Sequence, residues 1–343
     1  MLKILHVCSG KGLGGTRSVF IAYQKLFEKL GIDSTPVIRR NAQIKNELIS
    51  SSLQKLEEIS YTRRLPIKWQ KVSKAMKNLA HTQDLIWVHK PIDARIWRSL
   101  SPEAKIVMVV HGFQNTNLGC ANYLIAVSQP VFDHLQKKGL DNVFLINNFL
   151  SMPISQHEIS WNKRITISSF GFFRRKKGFT DFIRALRILK KTISPDKYSV
   201  NIYGNGRLEI ILKAMKLLLN IKNLQINNWT TDVKTCLKNT DILVIPSRSE
   251  SFSMMTIEGM SQGCLVVATK CKGPEFIIAN EVNGILIEKQ NPQIMADTLK
   301  RIIESPELFT KIRESGRRML KNKFNINNSK QSLNNVLGNI LYV

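Results

Sequence analysis

The sequence predicts an α/β fold made of two doubly wound domains, each a parallel sheet covered by helices on both faces. Three observations lead there. Short apolar runs alternate with helical stretches along the whole chain. The runs are apolar throughout rather than at every second residue, so both faces of each strand are expected to be buried, as in a parallel sheet. The scheme also occurs twice within 343 residues, a length suited to two cores of ordinary size.

In the first half the strand candidates are 2–9 (LKILHVCS), 35–40, 84–90 (DLIWVHK), 105–112 (KIVMVVHG), 123–128 and 143–149. In the second half they are 164–171, 198–204, 224–229, 241–247 (DILVIPS), 265–270 and 284–289. Between the two sets lies a polar stretch, 151–163, with Pro153 and no clear period. It reads as the connector. The expected organisation is a first domain over 1–155, a second over 156–325 and a terminal helix over 326–343.

Charge narrows the partners. The chain carries 51 Lys and Arg against 25 Asp and Glu, a formal net charge of +26. The excess is spread: residues 1–155 hold 21 basic and 10 acidic groups, residues 156–343 hold 30 and 15. A basic tail is therefore excluded, and the whole surface should attract anions such as nucleotides, anionic lipid headgroups or nucleic acid. Cys8, Cys120, Cys236, Cys264 and Cys271 form no Cys-x-x-Cys pair, which suggests free thiols in a reducing compartment. The first residues are too briefly apolar for a signal peptide, and no run reaches the ~18 apolar residues of a spanning helix. The expectation is a cytoplasmic protein, with any membrane contact peripheral, at the inner face of the cytoplasmic membrane.

Ligands of open α/β sheets bind beyond the carboxyl ends of strands, where helices begin. After the first strand comes Gly10-Lys-Gly-Leu-Gly14-Gly15, leading into a helix from about Thr16. Glycines let backbone amides approach a phosphate, and a helix N-terminus favours it. The spacing fits G-x-G-x-x-G, a weak signal alone. An NAD site would want an acidic residue ending the second strand; Arg39 and Arg40 stand there instead, which leaves an NADP-linked oxidoreductase as a rival reading. A glycine-rich turn without a ligand is the plain alternative.

Strand 241–247 ends in the loop Arg248-Ser-Glu250-Ser-Phe-Ser253, and a helix follows from Met254 to about Gln262. Ser253 is expected as its N-cap, and Gly263 as the left-handed residue beyond its end. The free amides of such a helix can meet a diphosphate. Glu250 at the helix mouth can accept from sugar hydroxyls, and Glu258, eight residues on, from a ribose. Two glutamates at this spacing are ordinarily solvated residues; their place after a strand raises the functional reading.

The run PSRSESFSMMTIEGMSQGCLVVAT (246–269) resembles the E-x7-E segment of family 4 glycosyltransferases of the GT-B fold. Other stretches match that family in order: Gly14-Gly15, VVHG (109–112), IAVS (125–128), INNF (146–149), FGFFRRKKGFTDFIRAL (170–186), IYGNG (202–206) and VNGILIE (282–288). The resemblance covers about residues 2–320 and is weakest between 35 and 100. It implies two Rossmann-like domains facing across a cleft. It also implies a retaining, metal-independent transfer of a hexose or N-acetylhexosamine from a nucleoside-diphosphate sugar, with no cofactor. Lys177, with Arg174 or Arg175, would bind the donor diphosphate. Glu250 would contact the transferred sugar and Glu258 the ribose. Amides around Ser253, Met254 and Met255 would meet the phosphates, and His111 would reach the donor sugar. The acceptor would be a glycan or glycolipid of bacterial lipopolysaccharide or another surface polysaccharide. The sequence departs from the family at Ser253, usually glycine; at Gly259, usually alanine; and at Phe172, usually arginine.

No Asp-x-Asp, HExxH, Walker A or nucleophile elbow occurs, so no metal site is expected, and Met254-Met255 reads best as core. Segment 61–80 would form a helix from Pro66 with Trp69, Val72, Met76 and Leu79 on one face and Lys68, Lys71, Lys74 and Lys77 mostly on the others. Packing on its own domain and attachment to an anionic membrane both fit it. A basic nucleic-acid-binding protein explains the charge, but no module for that role is present.

Overall fold

A computed structural model of the chain describes residues 2–10, 14–39, 42, 56–59, 74–113 and 118–341. They form two compact units. Unit 1 holds the described residues up to Ser151 together with those from Ile326 onward; unit 2 is Met152–Asn325.

Unit 1 is built on strands β1 (Lys3–Cys8), β2 (Asp33–Arg39), β3 (Glu57–Ile59), β4 (Leu85–Val88), β5 (Lys105–Val110), β6 (Tyr123–Ala126) and β7 (Val143–Leu145). They lie in the order β3-β2-β1-β4-β5-β6-β7, parallel throughout. Helices α1 (Gly15–Lys29), α2 (Lys74–His81), α3 (Pro91–Leu100) and α4 (Gln129–Gln136) pack around the sheet. All six strands expected in this half are present; β2 begins two residues earlier than expected, and the other ends match or fall short by up to four residues. Strand β3 was not expected: Glu57-Glu-Ile59 offers no apolar run, and its two carboxylates suit an exposed sheet edge. Every side chain of β4 is fully buried, as a strand covered on both faces requires. Helix α1 turns Val19, Phe20, Tyr23, Leu26 and Phe27 inward at helical spacing. Tyr23 and Phe27 meet Trp87, and Tyr23 meets Phe149, at ring-centroid distances of 5.4 to 5.7 Å.

Unit 2 repeats the plan with β8 (Ile165–Phe170), β9 (Tyr198–Tyr203), β10 (Leu224–Asn227), β11 (Ile242–Ile245), β12 (Leu265–Thr269) and β13 (Ile285–Ile287). The order is β10-β9-β8-β11-β12-β13, again all parallel. Its helices are α5 (Phe179–Leu189), α6 (Glu209–Leu218), α7 (Val233–Lys238), α8 (Met254–Ser261), α9 (Lys272–Ile277), α10 (Pro292–Glu304) and α11 (Thr310–Asn322). In each sheet the strand order reverses once, between β1 and β4 in unit 1 and between β8 and β11 in unit 2. Such reversals open a crevice beyond the carboxyl ends of the two strands.

The last helix, α12 (Ile326–Leu341), is expected from the sequence as a helix; the structure adds where it goes. It belongs to unit 1, burying Leu333, Val336, Leu337 and Ile340. Lys105 at the start of β5 donates to Ile340 O at 2.9 Å. The connector runs along unit 2 from Met152: Ser155 N donates to Ser261 O at 2.8 Å and Gln262 Nε2 to Pro153 O at 3.1 Å.

A buried cation fastens α11 to the base of the second sheet. Arg313 is 6% exposed. It donates to Gly263 O at 2.7 Å and Ser160 O at 3.0 Å, stacks on Trp161 at 4.2 Å, and lies 3.8 Å from Asp241. Asp241 in turn accepts from Thr166 N and Asn162 Nδ2 at 2.8 and 2.9 Å. Burial pushes the Arg313 pKa down, and Asp241 opposes that shift. Removing one partner of such a pair leaves a buried charge uncompensated. Arg313→Leu is expected to lower unit 2 stability by about 3–5 kcal/mol, read as a fall in the urea midpoint at unchanged slope.

Candidate functional site

Strands β8 and β11 end side by side in unit 2. After β8 the chain passes Gly171-Phe172-Phe173 into a single tight turn, Arg175–Lys177. Gly178 closes it at φ 68°, ψ 14°. A Cβ there would stand 1.8 Å from Pro246 O, so only glycine lets this turn lie on the end of β11. Two further contacts hold it. Arg248 N donates to Lys176 O at 2.7 Å, and the Arg248 guanidinium grips Asp181, in the first turn of α5, through two 2.9 Å bonds.

This closure brings Lys177 and Glu250 together. Lys177 Nζ donates to Glu250 Oε1 at 2.5 Å, and Ser247 Oγ donates to the same oxygen at 2.8 Å. The two side chains are 23% and 15% exposed, so the pair is reachable from solvent without being solvated. Gly273 N, at the start of α9, donates to Glu250 O at 3.0 Å. A Cβ on Gly273 would come within 2.7 Å of the Phe252 backbone. The Glu250 loop is thus pinned on both sides.

Helix α8 starts beside this pair. Ser253 occupies the N-cap position but does not act as the cap expected of it. Its φ is 78° and its ψ 80°, and its side chain makes no capping bond; its Oγ accepts from Thr256 Oγ1 at 2.9 Å instead. The positive φ explains why glycine suits this place. Ser253 therefore does not cap the first-turn amides. Met254 is buried, Met255 half-buried, and Glu258, one turn into the helix, is 7% exposed. Gly259 faces Leu243 of β11, whose Cδ2 would lie 2.3 Å from an added Cβ, so this leucine fills the space an alanine's methyl would take. Gly263, at φ 85°, ends the helix as expected.

Arg174 and Arg175 are exposed. The Arg174 guanidinium lies over the Phe172 ring at 5.1 Å, and Phe172 packs on Trp229 at 4.8 Å. Phe172, standing where the resemblance wants arginine, holds the neighbouring arginine in place.

At the unit 1 reversal, three imidazoles form a chain. Gln24 Nε2 donates to Ser34 Oγ at 2.7 Å, so the Gln24 amide oxygen faces His6 and accepts from His6 Nδ1 at 2.9 Å. His6 Nε2 then accepts from His89 Nε2 at 2.8 Å, and His89 Nδ1 accepts from His111 Nε2 at 3.0 Å. With the Gln24 oxygen as acceptor, one direction of donation runs the length of the chain and ends on His111 Nε2. Burial keeps the rings neutral: it lowers His6 to about 3 and His111 to about 4, Lys90 adding to the latter. His89 is held well below its usual value by burial and by both neighbours. Lys90 follows His89 and lies against Gly10, its Nζ 3.1 Å from where a Cβ would be. Asp93, in the first turn of α3, accepts from Ser9 N at 3.2 Å, and burial raises it to about 6.

Gly14, at φ 148°, accepts from Arg17 N and Ser18 N, and Gly15 is the first residue of α1. Gly12 lies outside the described residues, as does Arg40; Arg39 ends β2. Residues 60–73, with Lys68, Trp69, Lys71 and Val72, also lie outside them, and α2 begins at Lys74. Among the described residues no group of three His, Cys, Asp or Glu side chains is arranged to hold a metal ion. Sequence reasoning missed the Arg248–Asp181 clamp, Ser247, His6, His89 and Lys90. The last two were read as the end of a strand; their position beside β1 at the reversal was the available signal.

Residues 154–319 match the sequence model of the family described as "Glycosyl transferases group 1". An uncharacterized glycosyltransferase of Methanocaldococcus jannaschii is 25% identical over 58% of this chain and 54% of its own length. A second, of Haemophilus influenzae, is 28% identical over 51% of each. The chain thus spans about half of these two relatives. The lipopolysaccharide core biosynthesis glycosyltransferase LpsE of Rhizobium meliloti is 21% identical over 94% of this chain and 95% of its own. Among solved structures, Anabaena HepE in complex with UDP and glucose superposes with a TM-score of 0.83 at 17% identity, over 99% and 100% of the two chains. The fold is that of the GT-B glycosyltransferases, with two Rossmann-like domains.

Two outcomes follow from this geometry. Gly178→Ala strains a left-handed residue and drives a methyl into Pro246 O; it is expected to lower the melting temperature by roughly 5 °C or more. Between pH 7 and 5 an unfolded chain protonates its histidines near 6.5 while the folded three stay neutral, so acid removes stability. Asp93, raised when folded, opposes with one proton. The net loss is on the order of 4 kcal/mol, measurable by urea unfolding at the two pH values; a flat profile would mean that the folded rings take up protons.

Proposed function

We propose that this chain is a glycosyltransferase that moves a sugar from a nucleoside-diphosphate donor onto a glycan acceptor. The observation that carries the reading is the Lys177–Glu250 pair at the unit 2 reversal, inside the segment matched by the glycosyltransferase model. An ammonium has three hydrogens. One serves Glu250; the others are proposed to meet the donor diphosphate, where they neutralise charge that grows as the nucleotide departs. Arg174, held on Phe172, and Arg175 add cations at the same turn. The first-turn amides of α8, at Ser253, Met254 and Met255, are proposed as further phosphate donors. Glu250, fixed by Lys177, Ser247 and Gly273, is proposed to accept from hydroxyls of the transferred sugar, and Glu258 from the ribose. His111 is proposed, on the resemblance, to contact the donor sugar, and Gly14 and Gly15 to line the approach at the start of α1.

Finer parts of the reading have narrower support. Retention of configuration without a metal and a family 4 assignment rest on the E-x7-E segment. UDP as the nucleotide is supported by its presence in HepE. An acceptor of the lipopolysaccharide or surface-polysaccharide class is supported by the LpsE likeness. No helix among the described residues is long and apolar enough to cross a membrane, and a peripheral place at an anionic membrane belongs to the same proposal. The NADP oxidoreductase reading draws no support from the glycosyltransferases named above.

The test is a thermal-shift panel of UDP, GDP, ADP and NADP without added metal. One nucleoside diphosphate is expected to raise the melting temperature, and Glu258→Ala to weaken that shift. With the matching donor sugar, Lys177→Ala is expected to lower kcat by about 100- to 1,000-fold. Stabilisation by NADP alone, or an unchanged kcat, would reject the proposal.

A further inference from the structure

Helix α6 (Glu209–Leu218) shows its apolar side chains to both sides. Leu212 is buried and Met215 packs on the unit 2 core. The opposite side is in solvent: Ile210 is 81% exposed, Ile211 49%, Leu217 75% and Leu218 84%. Ile210 and Leu217, and Ile211 and Leu218, are seven apart, and the exposed Ala214 lies between them. The result is one strip about 15 Å long. No other helix of the described residues shows more than one large apolar side chain so exposed. Apolar surface of this extent belongs in a core or against lipid, and only the Leu212 and Met215 side of α6 has a core.

The strip is framed by cations. Lys213 lies along its edge, paired with the one acid, Glu209, at 2.7 Å, and Arg207 and Lys222 stand just beyond the two ends of the helix. Lys190 adds a fourth cation at the C-terminal end, donating to Leu219 O at 2.5 Å. These charges select the occupant. A second copy of a chain of net charge +26 would bring each lysine toward its own copy. Nucleic acid would satisfy the cations and leave four aliphatic side chains against phosphate and water. An anionic bilayer surface satisfies both: the apolar side chains enter the acyl boundary while the lysines reach the headgroup phosphates. We infer that α6 is a membrane-docking surface that lies in the plane of an anionic lipid leaflet. With 10 residues it lies on the bilayer and cannot cross it. The inference rests on the peripheral placement proposed above and on none of the transferase chemistry; its test needs neither donor nor acceptor, so the transferase reading stands or falls on the thermal-shift and kcat tests alone.

The experiment is co-sedimentation of the full chain with phosphatidylcholine vesicles, with and without phosphatidylglycerol. Binding is expected only with phosphatidylglycerol and is expected to weaken in high salt. Ile210→Ser/Leu217→Ser/Leu218→Ser should lower the partition coefficient by roughly a hundredfold. Lys213→Glu/Lys222→Glu should lower it at least roughly tenfold. Both variants alter exposed or half-exposed positions and should melt like the parent. Absence of binding by the parent chain overturns the proposal. So does a serine variant that sediments as the parent does, because the attachment then lies elsewhere. A parent dimer that the serine variant abolishes, with no vesicle binding, assigns the strip to self-association and overturns it as well.

Discussion

The unit 2 site depends on one close approach: the Cα of Gly178 against the carbonyl oxygen of Pro246. A parallel sheet delivers two strand ends about 5 Å apart, but it does not say how the loops leaving them are joined. Here the first loop folds into a turn that ends left-handed, and that turn rests directly on the second. Arg248 then closes the seam twice, once through its backbone to Lys176 and once through its guanidinium to Asp181. Lys177 is left with one short route, toward Glu250. The ion pair is therefore a result of backbone packing, and its geometry is set before any ligand arrives, which is what electrostatic preorganisation requires.

Unit 1 uses a different device at the equivalent place in its sheet. A neutral imidazole can be a donor at either nitrogen, and an isolated one samples both. In the chain from Ser34 to His111 each ring constrains the next, and the Gln24 amide sets the direction. The cost is three desolvated bases, so unit 1 is built for neutral pH. The aromatic cluster explains why they stay dry: His6 stacks on Phe20 at 4.0 Å and meets Phe27 edge-on at 5.1 Å. Hydrophobic packing and proton placement are here the same structure.

The strands were readable because burial on both faces writes itself into sequence as a continuous apolar run, and all twelve expected strands are found. Glu57–Ile59 was not readable, since an edge strand of three residues needs no such run. Glu250, Lys177 and Glu258 were reached through position after a strand and through resemblance; the structure pairs the first two and buries the third. The reading of Ser253 as a capping residue failed because capping needs an extended φ, and Ser253 stands at φ 78°, ψ 80°. Its residue type does not announce that conformation. The same holds for the Arg248–Asp181 clamp, 67 residues apart, and for the return of α12 to unit 1. Each depends on which strands become neighbours, and that is fixed only when the order around the sheet is known.

A lysine already bound to a carboxylate looks poorly suited to hold a diphosphate, and the burial of the pair resolves this. Were Lys177 alone at 23% exposure, it would be held by its burial cost, and its flexible stem would sample several rotamers. Glu250 removes both problems, yet it occupies only one of three ammonium hydrogens. An incoming diphosphate brings about two negative charges to a place where the local balance is near zero, with Arg174, Arg175 and the first-turn amides of α8 still uncommitted to Glu250. The proposed donor thus adds its charge to a framed cation instead of displacing a partner from it. Glu250, still fixed by Ser247 and by the Gly273 amide on its backbone, keeps its second carboxylate oxygen for a hydroxyl. The pair is then a device for holding two opposite charges still at neighbouring points, and a sugar diphosphate is a ligand whose hydroxyls and phosphates present that same division.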